Sequence, residues 1–255
     1  MSRLLPAGLA LALLLSLATG CPGESQPRHL LFDQGHGQRF TIEQEGDLQL
    51  GRFAETLRGE GLEVASTTEP ITPELLAGVD ALVISGPFKA YSPAEGKAVK
   101  AWVEGGGRLA IMLHIAQPVW GVLGDLGVEV ANGVVRDPKH QLDEKAINFR
   151  VPDLTQHPLN AGLESFNLYG GWPLRPASEK AQVLAFTDAG AWVDLDRDQK
   201  LGQGDAVQSF GVVVGGELGQ GAFVVFADDA IFQNRFLVDE NLKLAKNLGA
   251  FLGAR

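Results

Sequence analysis

From His29 onward the apolar residues fall into short blocks of two alternating kinds. Leu30-Leu31-Phe32, Leu62 to Ser66, Val79 to Ile84 and Arg108 to Leu113 are brief and apolar-rich, as strands buried in a sheet are. Between them the spacing becomes helical. Asp47 to Arg58 brings Leu48, Phe53, Ala54 and Leu57 near one helical face, and Gly59 and Gly61 close it. Thr72-Pro73-Glu74 opens a short helix. Ser92-Pro93-Ala94-Glu95 combines an N-cap serine, a first-turn proline and a capping-box glutamate, ahead of a helix that ends at Gly105-Gly106-Gly107. Strands interleaved with helices in this way predict an α/β fold built on a doubly wound, mostly parallel, flavodoxin-like sheet.

The second half is richer in strand signals. Candidates are Ala146 to Val151, Ser165 to Tyr169, Gln182 to Phe186, Val207 to Val214 and Ala222 to Phe226. Only Leu237 to Leu252 is helical again, with Leu242, Leu244, Ala245, Leu248 and Phe251 set among Lys243 and Lys246. Residues 29–255 therefore read as one α/β domain with a β-rich C-terminal elaboration.

The start of the chain follows a different pattern. Arg3 precedes the apolar stretch Leu4 to Leu17, which is too short to span a bilayer comfortably and runs into Leu17-Ala18-Thr19-Gly20-Cys21. This resembles the bacterial lipobox, with Ala18 where that motif usually has leucine. The resemblance implies a lipoprotein signal peptide over residues 1–20, acylation of Cys21, a tether over 21–28, and a membrane-anchored extracytoplasmic protein in the periplasm or on the cell surface. An ordinary secretory signal or an uncleaved anchor are the alternatives, and neither leaves the domain in the cytoplasm. Cys21 is the only cysteine, so no intramolecular disulfide can form and the core must suffice for stability. The net charge of −10, with no opposing basic cluster, argues against nucleic acid and against electrostatic docking on anionic lipid.

Several segments together are similar to class I glutamine amidotransferase-like domains: the Asp33-Gln34-Gly35-His36-Gly37-Gln38 loop, the Val83-Ile84-Ser85-Gly86-Pro87 strand end, Trp102-Val103-Glu104-Gly105-Gly106-Gly107, His157 to Leu163, and Val224-Val225-Phe226-Ala227-Asp228-Asp229. The nearest pattern is that of noncatalytic members, such as gliding-type transporter auxiliary proteins and envelope domains of unknown function, with trehalose-utilisation-like proteins more distant. An active amidotransferase presents a cysteine nucleophile after the strand that Arg108 to Leu113 would supply. Here His114-Ile115-Ala116-Gln117 follows, and no Gly-x-Ser-x-Gly segment offers a serine instead. The resemblance thus implies the fold without glutamine hydrolysis.

Open α/β sheets bind ligands beyond the carboxyl ends of their strands. Asp33, His36, Gln38 and Arg39 follow the first strand, Ser85 and Lys89 another, His114 a third, and Asp228 and Asp229 the last. Two readings stay open. The cluster suits a small polar or carbohydrate-like ligand, with Arg39 or Lys89 holding an anion, or else the docking of an envelope protein partner. It also suits a hydrolase or isomerase of a sugar-related substrate, with His36 or His114 as base oriented by Asp33 or Asp228.

A second constellation lies between Asp194 and Asp205. Asp194, Asp196, Asp198 and Asp205 occupy positions one, three, five and twelve of an EF-hand-like loop, and Lys200 at position seven offers its carbonyl. Gln199 replaces the usual turn glycine, and Asp205 is shorter than the usual glutamate. Strand-like flanks at Ala191 to Val193 and from Val207 place the loop in a hairpin. Calcium binding and a solvated acidic turn are the two readings.

Overall fold

The computed structural model describes residues 28–131, 133–196 and 198–254. The signal-peptide and Cys21 assignments lie outside the described residues. The chain is a mixed α/β protein organised on one ten-stranded sheet. Its first half supplies β1 (Arg28–Asp33), α1 (Gly51–Gly59), β2 (Leu62–Thr67), α2 (Pro73–Leu76), β3 (Ala81–Ser85), α3 (Pro93–Glu104), β4 (Arg108–Met112), α4 (Trp120–Asp125) and β5 (Val128–Val130). The second half adds β6 (Val135–Arg136), β7 (Asn148–Val151), β8 (Asp153–Leu154), β9 (Phe166–Tyr169), β10 (Leu174–Pro176), β11 (Ala181–Phe186), β12 (Trp192–Val193), β13 (Ala206–Val207), β14 (Gly211–Leu218), β15 (Gly221–Phe226) and α5 (Asp239–Gly253).

The large sheet runs β2-β1-β3-β4-β15-β14-β10-β5, with β11 beside β14 and β8 beside β11. β2, β1, β3, β4 and β15 are mutually parallel, whereas every pairing beyond β15 is antiparallel. The expectation of a mostly parallel sheet is corrected here. A parallel connection needs a crossover of a dozen or more residues. β14 and β15 instead pair Leu218 with Gly221 across a two-residue turn at Gly219-Gln220, where Gly219 has φ 64°. The small sheets β13-β12-β6 and β7-β9 make up the rest of the elaboration.

β3 and β15 are buried at every position, so helices or loops cover both faces of the sheet's centre. α1 packs with α5, and α3 with α2 and α4. Phe53 of α1 stacks on Phe232 at 4.6 Å, and Phe232 meets Phe226 of β15 edge-on at 5.1 Å, which ties helix and sheet together. The capping box of α3 forms as its sequence predicts: Ser92 Oγ accepts from Glu95 N and Glu95 accepts from Ser92 N.

Two element boundaries differ from the periodicity. α1 begins at Gly51 instead of Asp47, because residues 47–49 are pinned from elsewhere. Arg235 N donates to Asp47 O at 2.7 Å and Asn234 N to Gln49 O at 2.8 Å, which leaves Leu48 exposed. The segment Val207 to Val214 is two strands, not one. Phe210 N turns to Thr187 Oγ1 at 2.9 Å, and a Cβ on Gly211 would stand 2.6 Å from Leu174 O, so the chain bends where the backbones crowd. Among the described residues, no helix is long and apolar enough to cross a membrane.

Candidate functional site

The carboxyl ends of β1, β3, β4 and β15 lie along one edge of the sheet, and the residues that follow them form the candidate site. The structure divides these residues into a closed network and an open cluster, which is the candidate crevice.

The closed network surrounds Asp33, the last residue of β1. Its Oδ2 accepts from Gln38 Nε2 at 2.8 Å and from the Tyr91 hydroxyl, and its Oδ1 accepts from Gly35 N at 3.0 Å. His36 Nδ1 lies 2.8 Å from Asp33 Oδ2, and His36 Nε2 lies 3.1 Å from Glu95 Oε1. The imidazole is buried and stacked on Tyr91 with ring centroids 3.7 Å apart. Gln38 Oε1 accepts from His36 N at 2.7 Å, which closes the loop on itself. Burial opposes the imidazolium, but the hydrogen bonds and charges of Asp33 and Glu95 outweigh it and raise the His36 pKa. Burial, reinforced by Asp33, holds the Tyr91 phenol well above its ordinary value. With both nitrogens taken and the ring buried against Tyr91, His36 has no free group to offer a ligand.

The open cluster, the candidate crevice, centres on His114, directly after β4 and Leu113. Its Nδ1 lies 3.1 Å from Asp229 Oδ1; the imidazole is about two-fifths exposed, whereas Asp229 is buried. Phe88 lies 5.0 Å and Phe40 5.6 Å from the His114 ring, and Arg39 sits over Phe88 at 4.6 Å. Trp172 Nε1 donates to His114 O at 3.1 Å. Gly86 has φ 55°, and a Cβ there would stand 2.3 Å from Asp229 Oδ2, so glycine is what lets the carboxylate pass beneath the loop. The Asp229 hydrogen bond raises the His114 pKa above its ordinary value, against desolvation. Asp228 points elsewhere: its oxygens accept from Tyr169 N at 2.7 Å and Ala230 N at 2.9 Å, bracing β9 against the end of β15. Burial and the neighbouring Asp229 charge push its pKa up to about 8 in spite of those two donors.

Ser85 is buried at the end of β3, and both histidines spend their hydrogen bonds on carboxylates instead of on its hydroxyl. Lys89 is exposed, its side chain lying against Gly37. The candidates therefore sort into Asp33, His36 and Gln38 in the network, Arg39, His114 and Asp229 in the crevice, and Ser85, Lys89 and Asp228 beside them. Sequence spacing gave no sign of Tyr91, Phe88, Phe40 or Trp172. Glu95 was legible as a capping residue, which it is, but it also binds Ile71 N at 3.1 Å and faces His36. Hollows of about 1030 Å³ beside Arg108, Lys180 and Phe251, and of about 560 Å³ between β10 and the β12-β13 hairpin, lie away from this crevice.

The raised pKa values predict how stability depends on pH. The folded state keeps the His36 and His114 protons above the ordinary value of 6.5, so their contribution is full below 6.5 and is lost as pH rises through the folded values. Asp228, raised from 3.8 to about 8, acts in the same direction up to that pH. His157, lowered by burial, opposes them only below 6.5. The denaturant midpoint should therefore fall from pH 6.5 to about 8. A flat or rising midpoint across that interval would contradict these protonation states.

The acidic loop joins β12 to β13, which pair antiparallel as Trp192 with Val207 and Val193 with Ala206. Oxygen atoms of Asp194, Asp196 and Asp198 lie within 4.8 Å of one another, and all three are hard donors of the kind calcium takes. Asp194 also binds Arg136 at 3.1 Å. Gln199 has φ 63°, the left-handed backbone that glycine supplies at this position of an EF-hand loop. Lys200 N donates to Asp198 Oδ1 at 2.7 Å. Asp205 lies outside the triad and closes the loop, accepting from Leu195 N at 3.0 Å and Gly202 N at 2.8 Å.

A family described as "Domain of unknown function (DUF4350)" matches residues 47–248. No curated protein matches the chain. Among solved structures, the mmIFT52 N-terminal domain is similar with a TM-score of 0.72 at 18% identity, covering 89% of this chain and 98% of its own. Cytoplasmic Protein STM1381 from Salmonella typhimurium LT2 follows with a TM-score of 0.57 at 17% identity, covering 89% and 100%. A protein described as thua-like from Bacteroides uniformis ATCC 8492 has a TM-score of 0.51 at 16% identity, covering 91% and 94%. At these identities the likeness is one of fold.

Proposed function

The chain belongs to the DUF4350 family, and from that premise we propose that it is a noncatalytic, membrane-anchored envelope lipoprotein whose glutamine amidotransferase-like domain binds a small polar or carbohydrate-like ligand in the His114 crevice. The β2-β1-β3-β4-β15 order of the parallel strands supports a flavodoxin-like origin for the domain, since it is the 2-1-3-4-5 winding with antiparallel strands added at one side. The observation that carries the binding reading is the contrast between the two histidines. His36 is sealed by carboxylates, while His114 stands open among aromatic rings at the end of β4, with Nδ1 on Asp229.

Calorimetric titration of the full-length protein with a panel of neutral sugars and sugar acids tests this. Binding is expected in wild type and should weaken at least about ten-fold in His114→Ala, in keeping with the loss of a hydrogen bond to a charged group. The same affinity in both proteins, or no binding by any saccharide, would reject the crevice. Saturable binding of an envelope protein in place of every saccharide would assign the face to a partner. A hydrolase or isomerase is the second reading, favoured by the His114–Asp229 pair, which has the form of an oriented general base. It requires turnover of a sugar-related substrate that His114→Ala abolishes.

The Asp194–Asp205 loop is proposed as a calcium site that stabilises the elaboration, with Asp194, Asp196, Asp198, the Lys200 carbonyl and Asp205 as the candidate ligand set. Calcium at ten times its dissociation constant should stabilise the fold by about 1.4 kcal/mol, or roughly 3–6 °C. Asp196→Ala should lose that gain, and magnesium should not reproduce it. Equal melting shifts in the two proteins would reduce the loop to an acidic turn.

A further inference from the structure

We infer that the ligand of the His114 crevice carries an anionic group, a carboxylate or a phosphate, held by Arg39 and His114 beside the Phe88 ring. The inference rests on the crevice-binding reading and adds the chemistry of the ligand to it.

One phenyl ring neighbours both basic side chains. Arg39 Cζ lies 4.6 Å from the Phe88 centroid, and the His114 ring lies 5.0 Å from it, tilted by 41°. Arg39 has no hydrogen bond or ion pair among the described residues, so its five donors are uncommitted there. On His114, Nδ1 is committed to Asp229, which leaves Nε2 as the ring's remaining donor.

The carboxyl group that favours protonation of His114 does not lie on the rim. Asp229 is buried, and it passes beneath Gly86 so closely that a Cβ there would stand 2.3 Å from Oδ2. Arg39 and His114 therefore face outward, with the Asp229 carboxyl sealed below. Their mutual repulsion is felt at His114, where the Arg39 charge opposes protonation. An anion held by both would satisfy both donors and remove that repulsion, whereas a neutral hydroxyl would satisfy only the donors. In a chain of net charge −10, an exposed rim of Arg39, Lys89 and protonated His114 is also a local reversal of the overall field. Phe40, edge-on to His114 at 5.6 Å, and Phe88 supply apolar surface for the organic part of the ligand.

Three probes that share one sugar ring test the idea on the full-length protein: D-glucose, D-glucuronate and D-glucose 6-phosphate, titrated by calorimetry at pH 6.5 in low salt. At least one acid should bind ten-fold or more tightly than glucose, and which of the two does so identifies the anionic group. Arg39→Gln, an exposed substitution whose folding is checked by thermal melting, should weaken the acid at least ten-fold and glucose by less than the acid. Glucose binding as tightly as both acids would overturn the anion while leaving the crevice standing. Acid binding that survives Arg39→Gln would also overturn it. Absence of binding by all three would remove the crevice reading itself.

Discussion

Asp33→Ala should cost about 3–5 kcal/mol of folding stability, the loss expected when one partner of a buried ion pair is removed and the other is stranded. Asp33 is the hub of the closed network, and its carboxylate is met by His36, Gln38, Tyr91 and Gly35 N. Alanine would leave the His36 imidazolium with Glu95 alone and the Tyr91 and Gln38 donors without an acceptor, and each buried unsatisfied donor costs about 1–3 kcal/mol in its own right. In a chain of this size the loss corresponds to roughly 6–20 °C in melting temperature. Asp33→Asn keeps the shape and one acceptor, so it should fall between the two. The deficit should shrink as pH rises through the elevated His36 pKa, because a neutral imidazole no longer needs the counter-charge. Denaturant unfolding at pH 6 and 9 measures both effects. A deficit below about 1 kcal/mol at pH 6 would show that the network is not a structural anchor.

Cys21→Ser should turn a membrane-bound protein into a soluble or unprocessed one, which is the largest change expected of any single substitution. A thiol can be acylated as the proposed lipoprotein signal requires, and a hydroxyl at the same place cannot enter that chemistry. Each buried methylene contributes about 0.8 kcal/mol to membrane binding, so one chain holds weakly and two or more hold firmly. Fractionation of cells expressing either form, with intact-mass analysis of the mature amino terminus, reads the result. An unmodified terminus elsewhere, or a serine variant that stays in the membrane, would remove the lipoprotein assignment. The folded domain is expected to be indifferent to the change.

The parallel half of the fold was legible because its signals are local. Continuous apolar runs, glycine stops and the Ser92–Glu95 capping box are written in neighbouring residues, and β1 to β4 stand where those signals put them. The antiparallel half was harder to see. Its strands are as short as two residues, and the Gly219-Gln220 turn that reverses β14 into β15 is a brief signal with a large topological effect. In the site, the residues after strand ends were nameable from topology, but their division was not. Whether a histidine is sealed or open depends on Tyr91 and Glu95 for His36, and on Gly86 and Phe88 for His114. These partners come from other strands and loops, and no periodicity connects them.

The direction of the parallel strands has a spatial consequence. Arg28 opens β1 at the edge of the sheet opposite the one where Asp33, Ser85 and His114 emerge. Six residues of strand, about 20 Å, separate the two edges. Whatever is attached upstream of Arg28 therefore holds the domain by its back and leaves the His114 mouth facing outward. The seven residues from Cys21 to Pro27 reach at most about 25 Å when extended. A lipid at Cys21 would thus act as a short stalk, keeping the sheet within one domain's width of the bilayer and displaying the mouth to solutes arriving from the far side.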